Sequence, residues 1–292
     1  MTGHVLVVGD VVDDISVRAL TAVTEASDTN AEIRMRPGGS AANVAAWLGS
    51  LGVETVFVGR VGADAVDRHG QALAQHGVTA YLAGDDELPT ATIVLQLDDA
   101  GERTMFVDRG ANTRLRPADV PEAAWDGASW LHLTGYTLFD VATRSTALGL
   151  VAQARARGLG VSIDPSTVSF LRDVGGPTFV DWVEGADLAF PNLEEARVLL
   201  DARGPHTDLD ALGARFGHLV VTLGSMGAAY VSGDRREQVT APRTRVVDTT
   251  GAGDAFAAGF LASWLDERDP VVALESGRAA AERCIAHLGA RP

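Results

Sequence analysis

The stretch "RPGGSAANVAAWLGSLGVETVFVGRVGAD", Arg36 to Asp64, carries one full unit of the pattern from which the chain is built. The glycine pair Gly38–Gly39 opens it, and "NVAAWLGSL" then sets Val44, Trp47, Leu48 and Leu51 at i, i+3, i+4 and i+7, the spacing of one apolar helix face. "VETVFVGRVG" follows as a strand. Upstream, "HVLVVGD" reads as a buried first strand ending at Gly9. Downstream, the alternation continues: the helical "DAVDRHGQALAQHG", the strand "SWLHLTG", then "DVATRSTALGLVAQARARG", a helix that stops at Gly158. "GVSID", "ADLAF", the short helix "NLEEARVLLDA", "HLVVTLG" and two helices over about 252–266 and 270–287 complete the chain. Alternating strands and helices predict an α/β fold, a mostly parallel central sheet covered by helices on both faces.

Two segments break the rhythm. Residues 13–36 end in "AEIRM", and "TATIVLQLDDAGERTMFVDRG" sets strand-like runs on either side of the turn-forming "DDAGE". Both read as antiparallel, and together they predict a small β-sheet lid, drawn from 13–36 and 89–111, on a single domain spanning 1–292. No repeat, low-complexity tract or linker interrupts the sequence.

With 292 residues, 46% of them hydrophobic, the chain has ample material for a core. A formal charge of −15 argues against a nucleic-acid surface, which needs clustered basic groups. No apolar run approaches the roughly 20 residues of a membrane span, so a soluble, cytoplasmic protein acting on a small molecule is expected. The single cysteine, Cys284, cannot form an internal disulfide and reads as a small buried side chain. All 24 basic residues are arginines. The absence of lysine excludes a P-loop, the protein-kinase strand lysine and Schiff-base chemistry. There is no HExxH zinc motif, and Leu223 stands where a GxSxG elbow needs its first glycine.

A second stretch, "VVDTTGAGDAFAAGF" (Val246–Phe260), concentrates the chemistry. The amides of Gly251, Ala252, Gly253 and Asp254 fall at a helix start, where N–H groups and the helix dipole attract anions. The Asp254 carboxylate beside such a site suits a general base that deprotonates a hydroxyl attacking phosphorus. An acid in the first turn of an ordinary helix would read the same way. The motif is not a dinucleotide fingerprint, because Phe256 occupies the third glycine position and the motif lies near the end of the chain.

Together, the glycine cluster running from Arg36 through Asn43 to Gly59, Gly62 and Asp64, and the "DTTGAGDAF" segment, resemble the ribokinase, or phosphofructokinase-B, family of carbohydrate kinases over nearly the whole chain. The resemblance implies a ribokinase-like three-layer sandwich and transfer of the γ-phosphate of ATP to a primary hydroxyl of a sugar or sugar-like substrate. Asp254 would be the base, and the backbone of Gly251, Ala252 and Gly253 the anion hole. Asp14, Gly38, Gly39 and Asn43 would hold the sugar, although Asn43 reads equally as a helix cap. Arg109, in "DRGAN", is the candidate cation reaching the substrate, set against an ordinary solvated arginine. Asn192 and Glu195, in "FPNLEEA", match the family's motif for the Mg²⁺ and phosphate region, with Glu195 acting on Mg²⁺ through water; the same spacing is also a capping box. Thr222, Gly224 and Gly227 would lie near ATP. Asp248 and Thr250 match positions that bind a monovalent cation such as K⁺ in some relatives. A homodimer through the outer face of the lid is also implied.

The pattern departs from ribokinases proper. Ser40 replaces a lysine, Gly135 and Tyr136 stand where an acid is expected, and Arg278 replaces an adenine-contacting asparagine or histidine. A nucleoside kinase of the same family is therefore a second reading, and a noncatalytic sugar or nucleotide sensor a third.

Overall fold

The computed structural model describes residues 3–23, 25–97, 103–202 and 207–292. In chain order the strands are β1 (His4–Val8), β2 (Val12–Ala19), β3 (Ala31–Gly38), β4 (Thr55–Gly62), β5 (Val78–Asp85), β6 (Ala91–Leu97), β7 (Arg103–Asp108), β8 (Ala128–Thr134), β9 (Gly160–Asp164), β10 (Leu188–Ala189), β11 (His218–Thr222), β12 (Ala228–Ser232) and β13 (Arg235–Val239). Nine of them form one sheet in the order β13-β12-β11-β10-β9-β8-β1-β4-β5, parallel from β5 to β11 and antiparallel through β12 and β13. β1, at the interior of this sheet, is buried at every residue. Because successive side chains point to opposite faces, Val5 and Val7 enter one core with Trp47, Phe57 and Phe260, and Leu6 and Val8 enter the other with Leu131 and Ile163.

The helices are α1 (Ser40–Ser50), α2 (Val66–Ala74), α3 (Glu122–Trp125), α4 (Tyr136–Phe139), α5 (Val141–Ala156), α6 (Val168–Val174), α7 (Gly176–Val183), α8 (Leu193–Leu199), α9 (Leu209–Gly213), α10 (Ala252–Glu267) and α11 (Pro270–Ile285). α1, α10 and α11 supply Trp47, Phe260 and Leu274 to the first core; α5, α7 and α8 supply Leu150, Phe179 and Leu199 to the second. The result is the three-layer sandwich expected from the alternation. β5 and β13, which the sequence pattern did not single out, are the two outer strands.

The segments that broke the rhythm form a second sheet, β3-β2-β6-β7. β2 pairs antiparallel with β3 and β6 antiparallel with β7, as expected, while β2 and β6 join the two pairs in parallel. The "DDAGE" turn, residues 98–102, lies outside the described residues. Among the described residues, no helix is long and apolar enough to cross a membrane.

In open parallel sheets, ligands bind beyond the carboxyl ends of the strands. Here that edge presents Asp10 after β1, Gly135 after β8, Asp164 at the end of β9, Asn192 after β10 and Thr222 at the end of β11.

Candidate active site

Gly251 turns the chain into α10 with a φ of 77°, in the left-handed region that favours glycine. A Cβ at Gly251 would stand 2.4 Å from the Ala290 side chain, whereas one at Gly253 would meet nothing within 4 Å. The first glycine is therefore a packing requirement, while the second leaves a bare surface facing open space. The Ala252 amide donates to the Thr249 carbonyl at 3.3 Å. Asp254 is the third residue of α10, half-buried at the floor of a cleft.

Its carboxylate is gripped from the other end of the chain. Ser40 Oγ donates to Asp254 Oδ1 at 2.7 Å, and Asn43 Nδ2 donates to Asp254 Oδ2 at 2.9 Å. Asn43 thus does not cap α1. The capping is done by Asp10, whose carboxylate accepts from the Ser40 amide at 2.6 Å, the Ala41 amide at 3.1 Å and Thr134 Oγ1 at 3.0 Å. Gly39, with a φ of 98°, lets this loop pass over Asp10; a Cβ there would lie 2.4 Å from the Asp10 carbonyl oxygen. Gly38 gives Asp14 its place, since a Cβ would fall 1.9 Å from Asp14 Oδ2. The neighbouring acid Asp13 faces away and pairs with Arg68 at 2.9 Å.

Three cavities meet at the start of α10. The first holds Asp14, Asn43, Arg109, Tyr136, Gly251 and Asp254. The second holds Asn192, Thr222, Gly224, Gly227, Ala252 and Gly253. Between them lies a passage lined by Asp164, Glu195 and Asp254, with no basic side chain in its wall among the described residues. Asp254 is therefore common to the first cavity and the passage, and Gly253 to the passage and the second. Arg109 Nη2 donates to the Tyr136 carbonyl at 2.5 Å, and its guanidinium lies 6.0 Å from the centre of the Phe170 ring.

The capping-box reading of "NLEEA" is borne out. Asn192 and Glu195 form a reciprocal capping box at 2.8 and 2.9 Å, and both also line the passage. Asp248 accepts from the Thr250 amide and hydroxyl and from the Gly289 amide, tying the turn before α10 to the C-terminal segment. Gly59 and Gly62 serve close backbone approach, to the carbonyl of Gly9 and the amide of Thr90; Asp64 is exposed and lines none of the three cavities.

The electrostatics are those of a crowded acidic edge. Burial pushes the Asp254 carboxyl up to about 8, opposed by the hydrogen bonds from Asn43 and Ser40 and reinforced by Asp164 and Asp10. Burial likewise raises Asp14 to about 6, against the attraction of Arg291. Glu195 rises to about 7 through burial, and Asp164 rises through burial and then through the charge of Glu195. Two buried carboxylates beside a passage that lacks a basic side chain match the donor set of a divalent cation that keeps most of its waters.

Sequence reasoning missed Asp10, Ser40, Asp164 and Arg291. Asp10 and Asp164 carried a usable signal, an acid at the carboxyl end of a parallel strand. Arg291 carried none. It is buried beside the last residue, with Nε donating to Asn43 Oδ1 at 3.2 Å and Nη2 to the Gly38 carbonyl at 2.9 Å.

The fold agrees with comparison to known proteins. The model of the pfkB family of carbohydrate kinases matches residues 2–292. The chain belongs to that family. It is 34% identical to a fructokinase of Vibrio alginolyticus, covering 77% of this chain and 76% of that protein. It is 32% identical to an ATP-dependent ribose-1-phosphate kinase of Halopiger xanaduensis, covering 88% and 83%. The crystal structure of adenosine kinase from Sinorhizobium meliloti superposes with a TM-score of 0.89 at 26% identity, covering 100% of this chain and 96% of that one. As a member of the pfkB family the protein is a phosphotransferase with an alcohol group as acceptor.

Two expectations follow. Gly251→Ala combines a positive φ with a clash against Ala290 and is expected to lower stability by about 1–3 kcal/mol. Gly253→Ala has room and should keep its stability while losing activity. Urea unfolding and a turnover assay on the two variants separate the cases. The second concerns pH. The folded-state value for Asp254 stands above its unfolded value of 3.8, so the group costs nothing below that pH and progressively more as pH rises through about 8. The melting temperature of Asp254→Asn relative to wild type should therefore increase between pH 4 and 8, as read by calorimetry; a flat difference contradicts the burial of this charge.

Proposed function

We propose that the protein transfers the γ-phosphate of ATP to a primary hydroxyl of a sugar or sugar-like molecule, with Asp254 as general base. The observation that carries this reading is the position of Asp254, shared by the first cavity and the passage that leads to the second. The acceptor occupies the first cavity, with its hydroxyls reaching Asp14 and Asn43 beside the turn that Gly38 and Gly39 allow. Arg109 donates from the far side. The nucleotide occupies the second cavity, against Asn192, Thr222, Gly224 and Gly227.

In the passage, Asp254 takes the acceptor's proton as its oxygen attacks the γ-phosphorus and the bond to ADP breaks. The backbone of Gly251, Ala252 and Gly253 and the start of the α10 dipole lie against the transferring group and offset its charge. Mg²⁺, when bound, neutralises phosphate charge; Asp164 and, through water, Glu195 would hold it. Ser40 and Asn43 keep the Asp254 carboxylate aimed at the acceptor. Asp248 and Thr250 brace the loop, and comparing turnover in potassium and choline salts tests whether they also hold K⁺.

The sheet β3-β2-β6-β7 serves as a lid that excludes water over the acceptor and limits ATP hydrolysis. Its outer face carries an apolar patch. By register, Ile33, Met35, Ile15, Val17, Val94 and Phe106 share it, with Ile33, Met35 and Phe106 each more than half exposed. Such a patch is self-complementary about a two-fold axis and supports a homodimer through the lid.

Asp254→Asn should reduce kcat by about two to four powers of ten while the KM for the acceptor changes little. Wild-type kcat/KM should rise with pH toward about 8, because the reactive form of Asp254 is the ionised one. A variant that keeps full turnover refutes the role. Light scattering should find a dimer that Phe106→Asp converts to a monomer; a monomeric wild type removes the lid interface.

A further inference from the structure

The inner face of the lid is divided along the line between β2 and β6. Cross-strand register places Arg36, Asp14, Ile93 and Val107 in one row, and Arg34, Ser16, Leu95 and Met105 in the next. The β3–β2 half of these rows is polar, and the β6–β7 half is wholly apolar. Ala91 extends the apolar half toward the core. Ala91, Ile93, Leu95, Met105 and Val107 all line the first cavity, as do Tyr136 and Phe170. The Tyr136 and Phe170 rings stand 6.2 Å apart and nearly perpendicular, with Phe139 5.3 Å behind Phe170. The acceptor cavity therefore has a polar end, beside Asp254 and Asn43, and an apolar end walled by aliphatic and aromatic side chains.

Resting on the kinase reading above, we propose that the acceptor is a glycoside bearing a flat heterocycle at its anomeric carbon, a nucleoside-type molecule, with the heterocycle seated between the β6–β7 half of the lid and Tyr136 and Phe170. A free sugar presents hydroxyls around its whole ring. Those turned toward β6–β7 would lose water without gaining a partner, which a site selects against. A flat ring instead buries its faces against aliphatic and aromatic groups and gains from doing so. The β6–β7 half offers no charged partner to a phosphate or carboxylate substituent, Arg36 standing on the polar half across β2 from it; Arg109, one N–H of which donates to the Tyr136 carbonyl, keeps its other N–H groups for an acceptor atom on the heterocycle.

The test measures ADP release by the full chain with ATP and Mg²⁺. N- and C-linked purine and pyrimidine nucleosides are compared with ribose, fructose and ribose 1-phosphate. A kcat/KM for one nucleoside above that of every other acceptor by about tenfold or more supports the inference. So does Leu95→Asn raising the nucleoside KM about tenfold while leaving the KM for ribose in place. A free sugar or sugar phosphate that matches the best nucleoside overturns it and leaves the kinase reading intact, as does a Leu95→Asn variant that raises both KM values alike. Turnover of no acceptor refutes the kinase reading instead. In that case thermal stabilisation by nucleosides and not by ribose, without ATP, supports the pocket assignment, and equal or absent stabilisation overturns it.

Discussion

The site depends on one carboxylate receiving two hydrogen bonds from the opposite end of the chain. Asp254 accepts from Ser40, 214 residues earlier, and from Asn43, 211 residues earlier. For both to reach it, α1 and α10 must lie side by side with their N-termini at the same edge of the sheet. That arrangement rests on Asp10 capping α1, on the turn at Gly39, and on Gly251 fitting against Ala290. Arg291 adds a constraint on the direction of Asn43. A guanidinium only donates, so its bond to Asn43 Oδ1 leaves the amide nitrogen as the group that faces Asp254. A buried arginine next to the C-terminus therefore fixes which end of an asparagine meets the carboxylate.

The second constraint is charge. Asp10, Asp14, Asp164, Glu195 and Asp254 gather at one edge, and Arg291 is held close enough to Asp14, Asp10 and Asp254 to be stabilised by them, although burial lowers it to about 10. A triphosphate entering this edge meets carboxylates of its own sign. On the proposed reading compensation comes from the start of α10 and from a cation carried with the phosphates, because among the described residues the passage between the cavities offers no basic side chain. The absence of lysine throughout the chain fits the proposed mechanism, in which backbone amides and a metal ion take the work that a lysine does in a P-loop.

The elements with strong periodicity were legible in the sequence. α1 has the apolar face read from Val44, Trp47 and Leu48, and α10 begins where the second glycine motif placed it. β5 was not legible because, as an outer strand, it is only partly buried and lacks a continuous apolar run. Within the site, local reasoning reached the residue types but not their partners. Asn43 reads as a cap, yet as the fourth residue of α1 it points past the helix start, and its capping function is taken by an acid 30 residues away in sequence. Asp13 and Asp14 are indistinguishable by composition; strand alternation sends one to Arg68 and the other over Gly38. Glu195 reads as either a cap or a phosphate-region acid, and its two oxygens allow it to cap Asn192 while lining the passage.

Strand alternation also binds the two properties of the small sheet together. β2 sends Asp14 and Ser16 inward and Ile15 and Val17 outward, and β6 does the same with Ile93 and Leu95 against Val94. A shift of one residue in either strand would exchange the faces, turning Ile15 and Val17 toward the cavity and Asp14 and Ser16 away from it. The close fit of Asp14 against Gly38 resists a slip that brings Pro37 into that place, since its ring would fall where the carboxylate lies. On the proposed reading, substrate recognition and association are both set by a single register, and a change to one face of the sheet acts on the other only through that register.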